Sequence, residues 1–250
     1  MSHDPKTYEP TPGLLQDRII LVTGASDGIG RALAIRAAKL GAQVLLHGRN
    51  SGKLEAVHDE ILQANPSCKT SIAVMDLATA DSDAYMALAD SIEQQFGRLD
   101  GLVNNAGILG QRLSIEQYDA AEWQRVLHVN LTAAFALTKV LLPLLKKSQD
   151  PSVIFTSSGV GREGRAFWGA YSVSKFGTEA LSQILAAENK HVPVRVNCIN
   201  PGPTRTRMRL EAYPAEDRDA LKAPEDVLSP YIYLLGPDGR AVTGESLDAQ

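Results

Sequence analysis

The sequence predicts a single-domain α/β fold, a doubly wound parallel sheet of about seven strands flanked by helices. Short, continuous apolar runs rich in β-branched residues, the kind buried on both faces of a parallel sheet, alternate with segments of helical apolar spacing. The order β-α-β-α with single crossovers builds such a sheet. A chain of 250 residues, 44% hydrophobic and 22% charged, suits one globular unit. Residues 1–14, with Pro5, Pro10 and Pro12, read as an extended arm over the surface, and 15–250 as the domain.

The first strand is Arg18–Val22, and Thr23-Gly24-Ala25-Ser26-Asp27-Gly28-Ile29-Gly30 follows it directly. Helical spacing then runs from Ile29 to Leu40 and stops at Gly41, a C-terminal glycine. Strand, glycine-rich turn and helix in this order form a phosphate cradle. Glycines let the backbone approach a pyrophosphate, and the helix start offers unpaired N–H groups and a positive dipole end. The spacing is G-x-x-x-G-x-G rather than G-x-G-x-x-G, and a tight turn without ligand is the bland reading. Ala42–His47 is the second strand. After it, where an acid would bind the ribose 2′-hydroxyl, stand Gly48 and Arg49. A guanidinium in place of a carboxylate favours a 2′-phosphate, hence NADP(H) over NAD(H), the bland reading being a solvated arginine at a strand end. His47 reads as a packed strand residue.

A helix over 51–64 leads to the third strand, Ser71–Met75, which ends at Asp76-Leu77. Asp76 suits a bond to an adenine amino group or a cap on the next helix, 83–96. Leu99–Val103 is the fourth strand, followed by Asn104-Asn105-Ala106-Gly107, a turn-forming run. A long apolar helix over 121–142 carries Asn130, a residue that needs partners if buried mid-helix. Ser152–Thr156 runs into Ser157-Ser158, and a glycine-bearing loop leads to a helix over 168–190. Val194–Ile199 ends at Asn200-Pro201-Gly202. A polar, irregular loop over 203–224 then faces the expected substrate cleft, before a short helix over 227–235 and a last strand over 245–248.

Within the 168–190 helix, Tyr171 and Lys175 are four apart and share a face. A phenol, with its ordinary pKa of about 10, beside an ammonium is a general acid/base tuned toward neutral pH. Ser172-Val173-Ser174-Lys175 also spells S-x-x-K, but the S-D-N and K-T-G partners of a serine acylase are missing. Net charge is -4, which suggests no nucleic-acid partner. Cys68 and Cys198 form no C-x-x-C or metal spacing, so the sequence predicts buried thiols in a reducing, cytoplasmic setting with no metal. The N-terminus has no apolar signal region, and no apolar run approaches the roughly 18 residues of a membrane span. Arg162, Arg165, Arg205, Arg207 and Arg209 fall in the two loops expected to border the cleft. They suit either an anionic substrate or pairing with Glu163, Glu211 and Glu216.

Thr23-Gly24-x-x-x-Gly28-Ile29-Gly30, Asn104-Asn105-Ala106-Gly107, Asn130, Ser158, Tyr171-x-x-x-Lys175 and Pro201-Gly202 together resemble the short-chain dehydrogenases/reductases, over about residues 15–248. Within that family the chain is similar to the YciK-type oxidoreductase subgroup. The resemblance implies a Rossmann-like fold and an NADP(H)-dependent oxidoreductase that moves hydride between nicotinamide and a carbonyl or alcohol substrate. It implies Tyr171 as acid/base, Lys175 lowering its pKa and binding the nicotinamide ribose, and Ser158, thirteen before Tyr171, holding the substrate oxygen. It implies Asn130 supporting a proton relay, and Gly24, Ser26, Asp27, Gly28, Ile29 and Gly30 around the pyrophosphate. Arg49, Asp76, Leu77, Asn105, Ala106 and Gly107 would lie on the adenosine side, and Pro201, Gly202, Thr204 and Thr206 at the carboxamide. A homodimer or homotetramer is implied too; the wide apolar stripes of the 121–142 and 168–190 helices suit either contact faces between subunits or packing on the sheet alone. The alternative on the same fold is a non-catalytic NADP(H)-binding regulator.

Overall fold

The computed structural model describes residues 4–250. Seven strands form one all-parallel sheet: β1 (Ile19–Thr23), β2 (Gln43–Gly48), β3 (Thr70–Val74), β4 (Gly101–Asn104), β5 (Ser152–Thr156), β6 (Arg195–Asn200) and β7 (Ser246–Asp248). Their spatial order is β3-β2-β1-β4-β5-β6-β7. The chain winds outward one way from β1 and the other way from β4, so a crevice opens above the carboxyl ends of these two neighbours.

The helices are α1 (Gly28–Lys39), α2 (Ser51–Ala64), α3 (Ser82–Phe96), α4 (Ala120–Leu127), α5 (Ala133–Leu145), α6 (Gly169–Glu188), α7 (Arg207–Ala212) and α8 (Ser229–Leu235). Alternate residues of each strand serve opposite layers. Ile20 and Val22 pack with α1, α2 and α8, whereas Ile19 and Leu21 pack with α3, α5 and α6. Burial on both faces is the reason the strands read as continuous apolar runs. Short polar side chains start the helices: Asp27, Asn50, Asp81, Asp119 and Thr206 each accept a backbone N–H at a helix N-terminus.

Four expectations are corrected here. The N-terminal segment is not simply extended. It turns at 5–6 and 12–17, and between these Tyr8 is buried against Tyr233 and donates to Asp238 (2.6 Å). The 121–142 helix is longer, Ala120–Leu145, and contains one wide π turn at His128–Thr132. Contrary to the sequence reading, that helix is long and apolar enough to cross a membrane. Its apolar stripe lies on the sheet, where Ala133, Leu137, Leu141, Leu144 and Leu145 are buried. The supposedly irregular 203–224 loop carries a helix, α7, because Thr206 caps it by accepting from the Arg209 N–H (3.2 Å).

Candidate active site

A cavity of about 800 Å³ opens along the carboxyl edge of the sheet, from Arg49 at one end to Trp168 and Met208 at the other. Every residue the sequence singled out for cofactor or catalysis lines it except Gly30 and Asn130, which sit immediately behind its wall.

At the cradle, Gly24 and Gly28 have φ of +68° and +53°, the left-handed region glycine favours. A Cβ on Gly30 would fall 2.3 Å from the Gly24 carbonyl oxygen and 2.6 Å from Asn105 Nδ2, so only glycine lets α1 come this close to the turn. The Asp27 carboxylate accepts the Gly28 N–H (2.7 Å), and the first-turn N–H groups of Ile29 and Gly30 have no intrahelical acceptor. The floor is tied together by Thr23, a residue the sequence reading used only as a motif marker. Its hydroxyl donates to the Val103 carbonyl (3.1 Å) and accepts from the N–H groups of Asn105 (2.9 Å) and Ala106 (3.0 Å). Asn105 Nδ2 donates back to the Thr23 carbonyl (3.0 Å). The Asn-Asn-Ala-Gly run is thus a stitched seam between β1 and β4.

At the far end, Arg49 is exposed and makes no ion pair among the described residues. Ser26, Asn50 and Lys53 line the cavity beside it, and a Cβ on Gly48 would lie 3.7 Å from Ser26 Oγ. Lys53 is a second cation that sequence reading overlooked, since in the chain it is only the third residue of an ordinary helix. Asp76 does not cap α3, which Asp81 does (2.9 Å). Its carboxylate folds back onto the Ala78 N–H (3.0 Å), while Leu77 is buried. His47 is a packed strand residue: it is buried with both ring nitrogens unbonded, and burial drives its pKa down to about 4.

Tyr171 and Lys175 are both buried one turn apart on α6, with Lys175 Nζ 5.7 Å from the phenol ring centre. Lys175 Nζ donates to the Thr156 carbonyl (2.6 Å) at the end of β5. One expectation fails here. Burial outweighs every other influence on Tyr171 and pushes the phenol up to about 12, with only the Ser158 hydroxyl pulling it back. Burial likewise pushes Lys175 down to about 8, against weaker support from Cys198 and Glu179. Two desolvated groups each resist ionisation, so the pair alone does not bring the phenol toward neutrality.

Ser158 is half-buried at the cavity, whereas Ser157 Oγ is enclosed without a partner. Ser172 donates to the Val160 carbonyl (2.5 Å) and is buried, which leaves no free hydroxyl for S-x-x-K chemistry. Asn130 sits in the π turn, where the wider coil frees backbone and turns the side chain inward. Its Oδ1 accepts the Ile108 N–H (2.8 Å), and its Nδ2 donates to the Ile108 carbonyl (2.9 Å) and Ser174 Oγ (3.1 Å). Across this junction, a Cβ on Gly107 would lie 3.3 Å from Asn130 Oδ1 and 3.9 Å from Lys175 Nζ.

The last wall is the chain after β6. Gly202 has φ of +70° and abuts Gln250, whose amide donates to the carbonyls of Pro201 (2.7 Å) and Pro203 (3.0 Å). Thr204 is buried with its hydroxyl on the Gly202 carbonyl (3.1 Å). Of the five arginines expected at the cleft, Arg162, Arg165 and Arg205 do not line this cavity. All five are ion-paired: Arg162 with Asp248 (2.7 Å) and Glu179 (3.3 Å), Arg165 with Glu163 (3.8 Å), Arg205 with Asp219 (3.6 Å), Arg207 with Glu211 (2.9 Å) and Arg209 with Glu216 (2.5 Å).

The family model for short chain dehydrogenase matches residues 18–217. The chain belongs to the short-chain dehydrogenase family. It is 49% identical to the oxidoreductase YciK of Escherichia coli K12, over 97% of this chain and 96% of that one. A short chain dehydrogenase of Shigella flexneri 2a, solved in complex with NADP, superposes with a TM-score of 0.94 at 48% identity, covering 96% of this chain and all (100%) of that one. A short chain dehydrogenase of Escherichia coli CFT073, complexed with NADPH, gives 0.94 at 49% identity over the same shares, 96% and 100%. The chain is therefore an oxidoreductase of this family, with the seven-stranded Rossmann-like sheet as its frame.

Proposed function

We propose that the protein is an NADP(H)-dependent oxidoreductase acting on a carbonyl or alcohol, with Tyr171, Lys175, Ser158 and Asn130 as its proton-handling set. The observation that carries this reading is the convergence of Tyr171, Lys175 and Ser158 at one end of a cavity whose other end is a glycine cradle followed by an unpaired arginine. The residues fit NADP(H). The Gly24–Gly30 turn would hold the pyrophosphate, Ser26, Arg49 and Lys53 the 2′-phosphate, and Asp76, Leu77 and Asn105–Gly107 the adenosine. Pro201, Gly202, Thr204 and Thr206 would wall the nicotinamide, and the complexes of the similar proteins with NADP and NADPH point the same way.

Bound NADP(H) supplies or takes up the hydride. The protein's own groups handle the oxygen. In reduction, Ser158 and Tyr171 donate hydrogen bonds to the carbonyl oxygen as negative charge develops there, and Tyr171 gives up its proton to make the alcohol. A phenol held at about 12 is fully protonated beforehand, as a proton donor must be. The phenolate left behind is countered by the Lys175 ammonium, still mostly charged at pH 7 with a pKa of about 8. Asn130, bridging Ile108 and Ser174 behind Lys175, holds the route by which the proton returns. In oxidation the same proton moves the other way. The exposed Phe135 on α5, and Val173, Phe176 and Ile184 on α6, support self-association through these two helices, which light scattering would test.

The test is a screen of carbonyl compounds with NADPH, read as loss of cofactor absorbance. The expected result is turnover in the wild type and its collapse in Tyr171→Phe; equal turnover by both proteins would refute the assignment.

A further inference from the structure

The substrate end of the cavity differs in character from the cofactor end. Opposite the Ser158 and Lys175 side chains, one wall beside the Tyr171 phenol is apolar. Leu109 and Trp168 are buried against the tyrosine, Met208 and Ala212 of α7 pack on the same cluster, and the Trp168 and Tyr171 ring centres are 5.6 Å apart. The cations near this wall are already engaged. Arg209 pairs with Glu216 and lies 4.0 Å over the Tyr213 ring. Arg207 pairs with Glu211, and Arg125 with Glu122 (2.8 Å). Arg112 is stacked between Trp168 (4.3 Å) and Tyr213 (5.0 Å), and it donates to the Ala212 carbonyl (2.8 Å), so it fastens α7 instead of facing the cavity.

We propose that the substrate is an uncharged carbonyl compound whose carbonyl carries a flat apolar group, an aryl group above all, seated against Leu109, Trp168 and Met208. This deepens the oxidoreductase reading and rests on it. A carboxylate placed here would lose its water. The Arg112 guanidinium has an unpartnered Nε among the described residues but is held by its stack on Trp168 and Tyr213 and its bond to the Ala212 carbonyl, and recruiting Arg209 would mean displacing Glu216. A flat ring instead gains apolar contact and an offset partner in Trp168. The contrast with the cofactor end is direct, since Arg49 there is exposed and unpaired among the described residues.

Methyl benzoylformate and benzoylformate test this, because they share an aryl ketone and differ in charge. With NADPH, the ester is expected to show kcat/KM at least tenfold above the acid. Trp168→Ala should lower kcat/KM for the ester about tenfold, chiefly through KM. Met208→Arg, which adds the cation the wall lacks, should close the gap at least tenfold in favour of the acid. Trp123 and Trp168 are the two tryptophans, so in Trp123→Phe the emission of Trp168 reports binding to the NADP-saturated protein without turnover. Tighter binding of the ester supports the proposal even if neither compound is reduced, and in that case the failure falls on the carbonyl-reduction reading. An acid that binds or reacts as well as the ester, or an ester that does not bind, overturns the proposal.

Discussion

The two edges of the sheet treat buried polar groups in opposite ways. At the amino edge they are closed into pairs. Asp150, ahead of β5, faces Arg18 (3.3 Å), Arg195 (3.1 Å) and Arg240 (3.1 Å). Asp100, ahead of β4, takes the Ile19 N–H (2.9 Å), the Ser148 hydroxyl (2.5 Å) and Arg98 (3.0 Å). At the carboxyl edge Thr23, Asn105 and Asn130 are bonded to neutral partners, and two titratable groups are left without a counter-charge. Among the described residues Lys175 has a carbonyl but no carboxylate within ion-pair reach, Glu179 acting on it only from further off, and Tyr171 is held far from ionisation. The amino edge spends its charges on joining strands distant in sequence, while at the carboxyl edge Lys175 and Arg49 have no carboxylate in ion-pair reach among the described residues and Arg125, Arg207 and Arg209 pair only with carboxylates within seven residues of them in the chain.

The largest effect expected from breaking this contrast is at Tyr171. Tyr171→Phe removes the proposed proton donor and is expected to lower kcat by about 10²–10⁴-fold, with NADPH binding and thermal midpoint little changed; steady-state kinetics and calorimetry check both. Asp150→Ala should do the reverse. It leaves Arg18 and Arg195 buried without their counter-charge, so denaturant unfolding should show about 3–5 kcal/mol of lost stability, while the folded protein keeps its affinity for NADPH. Arg49→Ala should weaken NADPH by about 10–100-fold, the worth of a charge-assisted bond of roughly 1.5–3 kcal/mol, and leave NADH unchanged; titration calorimetry with both cofactors reads the difference.

The smallest expected effect is a pH slope. Lys175 titrates at about 8 when folded against an ordinary 10.5, so between these values the unfolded chain binds more protons. By linkage, its contribution makes stability rise with pH across that window, and below pH 8 the folded state carries the full cost of the buried charge. Lys175→Met should flatten this rise in unfolding curves taken between pH 8 and 10.5; an unchanged slope would place the proton elsewhere.

Much of the site was legible because its signals are local. The Gly24–Gly30 cradle and the Tyr171–Lys175 pair are written within one turn or one helix, whereas the sequence left Asn130 either inward or at the surface until the π turn placed it. Glu163, Glu211 and Glu216 stand within seven residues of the arginines they pair with. The roles of Thr23 and Lys53, the cap at Thr206 and the length of the Ala120–Leu145 helix were not legible. Thr23 acts on residues about 80 positions away, and Lys53 matters only once β2 has brought it beside Ser26. A polar loop hides a six-residue helix whose apolar side is Met208 and Ala212 alone.

The sequence by itself determined the strand–helix order, the glycine cradle and the shared face of Tyr171 and Lys175 on α6, because periodicity and backbone freedom are properties of neighbouring residues. Only the tertiary structure decided how those residues ionise and what they meet. Burial on α6 sets Tyr171 near 12 and Lys175 near 8, and the stack of Arg112 between Trp168 and Tyr213 fastens α7 over an apolar wall. Desolvation and stacking depend on atoms that the chain brings together from more than fifty residues apart, and no local pattern records them.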